Sequence, residues 1–239
     1  MTVATRFLTK SELDEVFQAN PIREVDFEIR FDPRLRVAPE MWRFQEDLET
    51  EYPEVGLETA LLPNGATVSV TVFQNRMKAR VIKVSPQNMA LAFSDYSNFE
   101  DFKEEVLRRS GRFCEIFNIS SLTRVGLRYV NEISLPTQQP ESLRTYVKPL
   151  VEFDRIPLDS VQQFALQMVA KLDDHMILVR TALIAGPIRT YVLDIDAYAE
   201  TVKATAQIGM LLDRFHDSVQ RVFLNHVTDE YKQVMRGNK

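Results

Sequence analysis

Cysteine occurs once in the chain, as Cys114, so no intrachain disulfide can form and no cysteine-rich zinc site can be assembled. A lone thiol is what a reducing cytoplasm tolerates, and a cytoplasmic location is expected. Phe113, Ile116 and Phe117 around it describe a buried, inert group and not a nucleophile. Glycine is scarce, with 7 residues. Neither Gly-x-x-x-x-Gly-Lys nor Gly-x-Gly-x-x-Gly occurs, which excludes the common glycine-rich cradles for nucleotide phosphates. A Gly-x-Ser-x-Gly nucleophile elbow is missing too. The 3 histidines, His175, His216 and His226, have no partners at ligand spacing, so no metal is expected. No apolar run approaches the ~20 residues of a membrane span, and the first ten residues lack the apolar core of a signal peptide. No catalytic residue and no cofactor is assigned.

What remains is the composition of an ordinary globular protein: 239 residues, 45% hydrophobic and 26% charged. That length allows one large domain or two small ones and buries most of the apolar surface without staples. The net charge of −5 is uneven. Residues 1–120 carry 15 basic and 20 acidic side chains, and residues 121–239 carry 14 of each. An acidic chain is a poor non-specific binder of nucleic acid, and nucleic acid is disfavoured as a partner.

The segment from Thr123 to Leu135 reads as a strand. Val125, Leu127, Tyr129, Asn131 and Ile133 alternate with Arg124, Gly126, Arg128, Val130 and Glu132, the period of two of a half-buried strand. Val25, Phe27, Ile29 and Phe31 alternate in the same way with Asp26, Glu28 and Arg30. After this first strand, Pro39 opens a helix over about 39–51, with an apolar face of Met41, Trp42, Phe44 and Leu48, closed by Tyr52-Pro53. Strands follow at about 55–62, 66–74, 78–84 and 88–94, the first two joined by a turn at Leu62-Pro-Asn-Gly-Ala66. Ser97 and Glu100 fit a capping box for a helix over 98–117, which Gly111 threatens to interrupt.

The second half repeats that order. The strand at 122–134 leads to a short helix at 140–146 and a weak strand near 148–154. Strands at about 160–172, 175–185 and 189–196 come next, with Asp173-Asp174 in a hairpin turn. A long helix over 206–226 and a short one capped by Thr228 complete the chain. Residues 1–20 form an N-terminal extension with a helical pattern around Leu13, Val16 and Phe17. The predicted fold is α+β, with repeats at 21–120 and 121–239. Each is a β-α-β(3–4)-α unit, and the two contribute to one large, largely antiparallel sheet or to two related sheets, with helices on one side. In element order it resembles the architecture of the TATA-binding protein.

Four side chains stand out as a ligand-binding hypothesis: Arg124, Arg128, Glu28 and Arg30. The two arginines share a strand face with Gly126 between them, leaving the backbone open to close approach, and arginine suits fork-like recognition of phosphate or carboxylate. If the two opening strands are neighbours, Glu28 and Arg30 lie beside them, either as a site or as cross-strand ion pairs. Asp194 and Asp196 share a face and read as a strand-end pair. His216, beside Asp213 and Asp217, reads as a solvated helix-surface residue, and Met168, Met176 and Met210 as core fillers.

The run Arg23-Glu-Val-Asp-Phe-Glu-Ile-Arg-Phe31, the block Gly126-Leu-Arg-Tyr-Val-Asn131, the Leu193-Asp-Ile-Asp196 segment and the tail around Leu212-Asp-Arg-Phe-His216 and Thr228-Asp-Glu230 together resemble a sporadically distributed family of uncharacterised bacterial proteins of about this length. The resemblance covers nearly the whole chain. It implies no activity, cofactor or catalytic residue, and its patchy distribution implies mobile-island or defence contexts. The expected function is therefore a non-catalytic binding or interaction module. The alternative is a nucleotide-sensing protein or enzyme acting on a small anionic ligand at the outward face of the sheet. A protein partner and a homodimer are also expected, the latter because open sheet edges invite pairing.

Overall fold

A computed structural model describes residues 15, 17–61, 65–135, 141–148, 150, 161–186, 188–203 and 205–237. The alternating apolar residues at 25–31 form strand β1 (Ile22–Arg30), with Val25, Phe27 and Ile29 fully buried. Helix α1 (Met41–Leu48) follows, and then β2 (Glu54–Leu61), β3 (Thr67–Gln74), β4 (Arg80–Ser85), β5 (Asn88–Phe93) and helix α2 (Phe99–Phe117). The second half contains β6 (Leu122–Ser134), α3 (Glu141–Tyr146), β7 (Phe164–Leu172), β8 (His175–Ile184), β9 (Thr190–Val202), α4 (Ile208–His226) and α5 (Asp229–Met235). Most of the predicted strand near 148–154, and most of the helical pattern before residue 17, lie outside the described residues.

The strands form one nine-stranded sheet in the order β2-β3-β4-β5-β1-β6-β9-β8-β7, antiparallel throughout. The first strands of the two halves, β1 and β6, lie side by side at its middle. Each is flanked on its other side by the last strand of its own half, β5 and β9. Alternate residues point to one face, where Val125, Leu127, Ile133, Leu193 and Ile195 meet the apolar faces of α1, α2 and α4 in a single core. T-shaped aromatic pairs hold helix to sheet there, Phe44 against Phe73 at 6.0 Å and Phe93 against Phe102 at 5.1 Å.

Several local expectations are corrected. The N-cap of α2 is Asn98, not Ser97, and its side chain accepts the N–H of Asp101 at 2.9 Å. Gly111 does not break α2, which runs on to a left-handed Asn118 at φ 54°. Strand β9 is longer than expected and reaches Val202, so Asp194 and Asp196 sit mid-strand and not at its end. Trp42 is 57% exposed, because only Met41, Phe44 and Leu48 of α1 face the core. Met168 and Met210 are also exposed, the first on the edge strand β7. Thr228 does cap α5, accepting from the N–H of Tyr231. Cys114 is buried as expected, and burial pushes its thiol up to about 12. No helix among the described residues is long and apolar enough to cross a membrane.

Candidate functional site

The period of two that sends Val25 and Val125 into the core turns the intervening residues to the face away from the helices. The pairing of β1 with β6 sets Asp26 opposite Arg128, Glu28 opposite Gly126 and Arg30 opposite Arg124. On the other side of β6, β9 sets Asp196 opposite Arg128 and Asp194 opposite Val130, and β8 brings Arg180 opposite Asp194. Two chains of ion pairs result. In the first, Arg30 Nε bonds Glu28 at 3.0 Å, and Arg124 bridges Glu28 at 2.6 Å and Asp196 at 2.7 Å. In the second, Arg128 holds Asp194 with two donors at 2.8 and 3.0 Å and Asp26 at 3.1 Å, while Arg180 reaches Asp194 at 3.1 Å. The Arg124 guanidinium also lies 4.8 Å from the centre of the Tyr198 ring.

These side chains line a depression of about 760 Å³. Its walls include all four residues singled out from the sequence, Glu28, Arg30, Arg124 and Arg128, together with Glu24, Asp26, Glu58, Lys83, Arg180 and Asp196. Burial dominates its electrostatics. Asp26 is pushed up to about 7, first by burial and then by the neighbouring Glu24 carboxylate, with Arg128 pulling the other way. Burial also raises Asp196 against the pull of Arg124. Arg128 is held more firmly protonated by its bonds to Asp194.

The expected proximity of Glu28 and Arg30 to the two arginines is therefore realised. The expected opening at Gly126 is not, because Arg124 folds back along its own strand. A Cβ built on Gly126 would lie 2.5 Å from Arg124 Nη1. The glycine makes room for a guanidinium already in place, not for a ligand. Asp26 and Arg180 were missed as members of the depression. Both carry the strand parity that would have found them, Asp26 with Glu28 and Arg30 on β1, and Arg180 between the core-facing Val179 and Thr181 on β8.

The histidines have unexpected settings. His216 is not solvated: its ring stacks on Phe99 at 3.9 Å, and Nδ1 lies 3.0 Å from the Tyr129 hydroxyl. That hydroxyl is in turn 3.2 Å from the hydroxyl of Tyr96. Burial pushes His216 down to about 4, and Asp213, which Lys103 engages at 2.5 Å, opposes only weakly. His226 lies 2.5 Å from the Tyr191 hydroxyl and is likewise pushed down to about 4 by burial.

His175 has Asp174 at 3.2 Å on Nδ1 and the Ser218 hydroxyl at 3.0 Å on Nε2, the order of a hydrolytic triad. Ser218, however, lies in the middle of α4, where backbone N–H groups are spent on helical bonds and none is left for an oxyanion. The contact ties the β7–β8 turn to α4, a link reinforced by the ion pair between Arg214 and Asp174.

No group of three or more His, Cys, Asp or Glu side chains among the described residues is arranged to hold a metal ion. No protein-family model matches the chain, and no curated protein matches it.

Proposed function

We propose that this protein is a non-catalytic binding module whose contact surface is the charged face of the sheet, acting in the cytoplasm through a protein partner. The reading rests on the depression at the β1/β6 seam. Its side chains are held in fixed positions by one another before any ligand arrives, so binding there costs little further ordering. A surface whose charges are mostly paired with one another also offers alternating charge to a partner. A mobile-island or defence setting for such a module is part of the proposal, and the resemblance noted from the sequence is what suggests it.

The same reading treats the two halves as copies of one β-α-β(3–4)-α unit, resembling the TATA-binding protein in element order. The mirrored strand order about β1 and β6 supports this. Fold-level analogy transfers no function, and the net charge of −5 disfavours a nucleic-acid partner.

A thermal-shift panel with nucleotides, metal ions, oligonucleotides and charged peptides tests the proposal, since a ligand that binds only the folded state raises its apparent stability. A charged peptide should raise the melting temperature of the wild type and fail to raise that of Arg128→Leu. A shift kept by Arg128→Leu would move the site off this face. A nucleotide shift with turnover of the nucleotide, followed by mass spectrometry, would replace the proposal with the enzyme reading.

A further inference from the structure

Strand β2 forms one edge of the sheet. It pairs with β3 along its whole length and with no other strand among the described residues. Val55 faces the same side as Phe73, with which it is paired, and so do Leu57, Thr59 and Leu61 by alternation. Unlike Phe73 they are not covered: Leu57 is 76% exposed and Leu61 74%.

Monomeric proteins blunt such an edge with lysine, proline, a bulge or unpaired charge. Of these devices β2 has only charge, and both of its charges are paired within the chain. Its sequence contains no lysine or proline, and its register with β3 is unbroken. Its two charges are cancelled from within the chain, Glu54 by Lys78 at 3.8 Å and Glu58 by Lys83 at 2.8 Å. The opposite edge, β7, carries an exposed Lys171.

We propose that β2 is the seam of a two-fold symmetric homodimer, pairing antiparallel with β2 of a second copy about Thr59 and continuing the sheet across both chains. The register follows from the side chains. Centred on Thr59, the pairing sets Leu57 against Leu61 of the second copy twice over, covering the two most exposed leucines of the strand, and sets Glu58 against Ala60. Centred on Glu58, it would set the two carboxylates face to face, which is unfavourable. Helix layers then lie on the same side of the joined sheet, as a two-fold axis perpendicular to it requires.

Sedimentation and cross-linking test this on the full chain. The wild type should sediment at about twice its 27.6 kDa chain mass, and Leu57→Lys should sediment at the single-chain mass with an unchanged circular dichroism spectrum. Directly opposed Cβ atoms are ~5 Å apart, so Thr59→Cys should form a covalent dimer on mild copper oxidation. Met168→Cys on β7 should not, and the buried Cys114 leaves the background clean. A single-chain mass for the wild type at high concentration overturns the proposal, and so does cross-linking through Met168→Cys in place of Thr59→Cys. If Leu57→Lys fails to fold, the cysteine pair still decides between the two edges.

Discussion

At the scale of single residues, the two arginines that stand out in the sequence are not equivalent. Arg124 has 14% of its side chain exposed and is shared by Glu28 and Asp196, so Arg124→Leu strands the buried Asp196, while Glu28 keeps Arg30. Arg128 is 39% exposed, and its main partner Asp194 keeps Arg180. Urea denaturation should therefore show Arg124→Leu losing about 3–5 kcal/mol, the usual cost of breaking a buried pair, and Arg128→Leu losing clearly less. Equal losses would mean that Arg180 does not compensate.

Asp26 gives a pH signature. Its folded pKa is raised from 3.8 to about 7, so ionisation costs stability that is intact at pH 4 and lost progressively as pH rises to 7. Asp26→Asn should gain on the order of 2–4 kcal/mol over the wild type at pH 8 and nothing at pH 4. A gap that is the same at both pH values would acquit Asp26. His216 and His226 act in the opposite sense. Their folded values of about 4 lie below the usual 6.5, so the stability they contribute is whole above pH 6.5 and lost on acidification toward pH 4. Asp26→Asn, which lacks the offsetting carboxyl, should be the more acid-sensitive protein. Alternation made the companionship of Glu28, Arg30, Arg124 and Arg128 legible. It could not show that Arg124 fills the space above Gly126, nor that His216 stacks on Phe99, because those depend on how a side chain folds back and which helix lies above.

At the scale of elements, periodicity located nearly every strand and helix, and the errors sit at ends and caps. Ser97 and Asn98 are both good caps by type, and only the backbone decides between them. The choice is measurable. Asn98→Ala should cost about 1 kcal/mol through the lost bond to Asp101, and Ser97→Ala close to nothing. The reverse result would restore the capping box. Strand β9 was cut short because Asp194 and Asp196 look like strand-ending residues. In the fold, guanidiniums from β6 and β8 meet them, and the strand continues beneath the ion pairs. Trp42 was misplaced because a helix of eight residues has room for only three core contacts.

At the scale of the whole molecule, the order of elements was legible while their closure into one sheet was not, since nothing local says that β1 and β6 are neighbours. One sheet and one core predict one cooperative transition. Trp42, the single tryptophan, reports on the first half, and far-ultraviolet dichroism reports on both. The two should give the same urea midpoint, and separated midpoints would make the halves independent domains. The central pairing also bears on how the chain is made. Glu28 waits for Arg124, 96 residues further along. During synthesis the first half therefore leaves the ribosome with one side of its innermost strand unpaired, and it stays so until β6 emerges. Contacts this distant in sequence slow folding, and this interval is when the nascent chain most needs shielding from its neighbours.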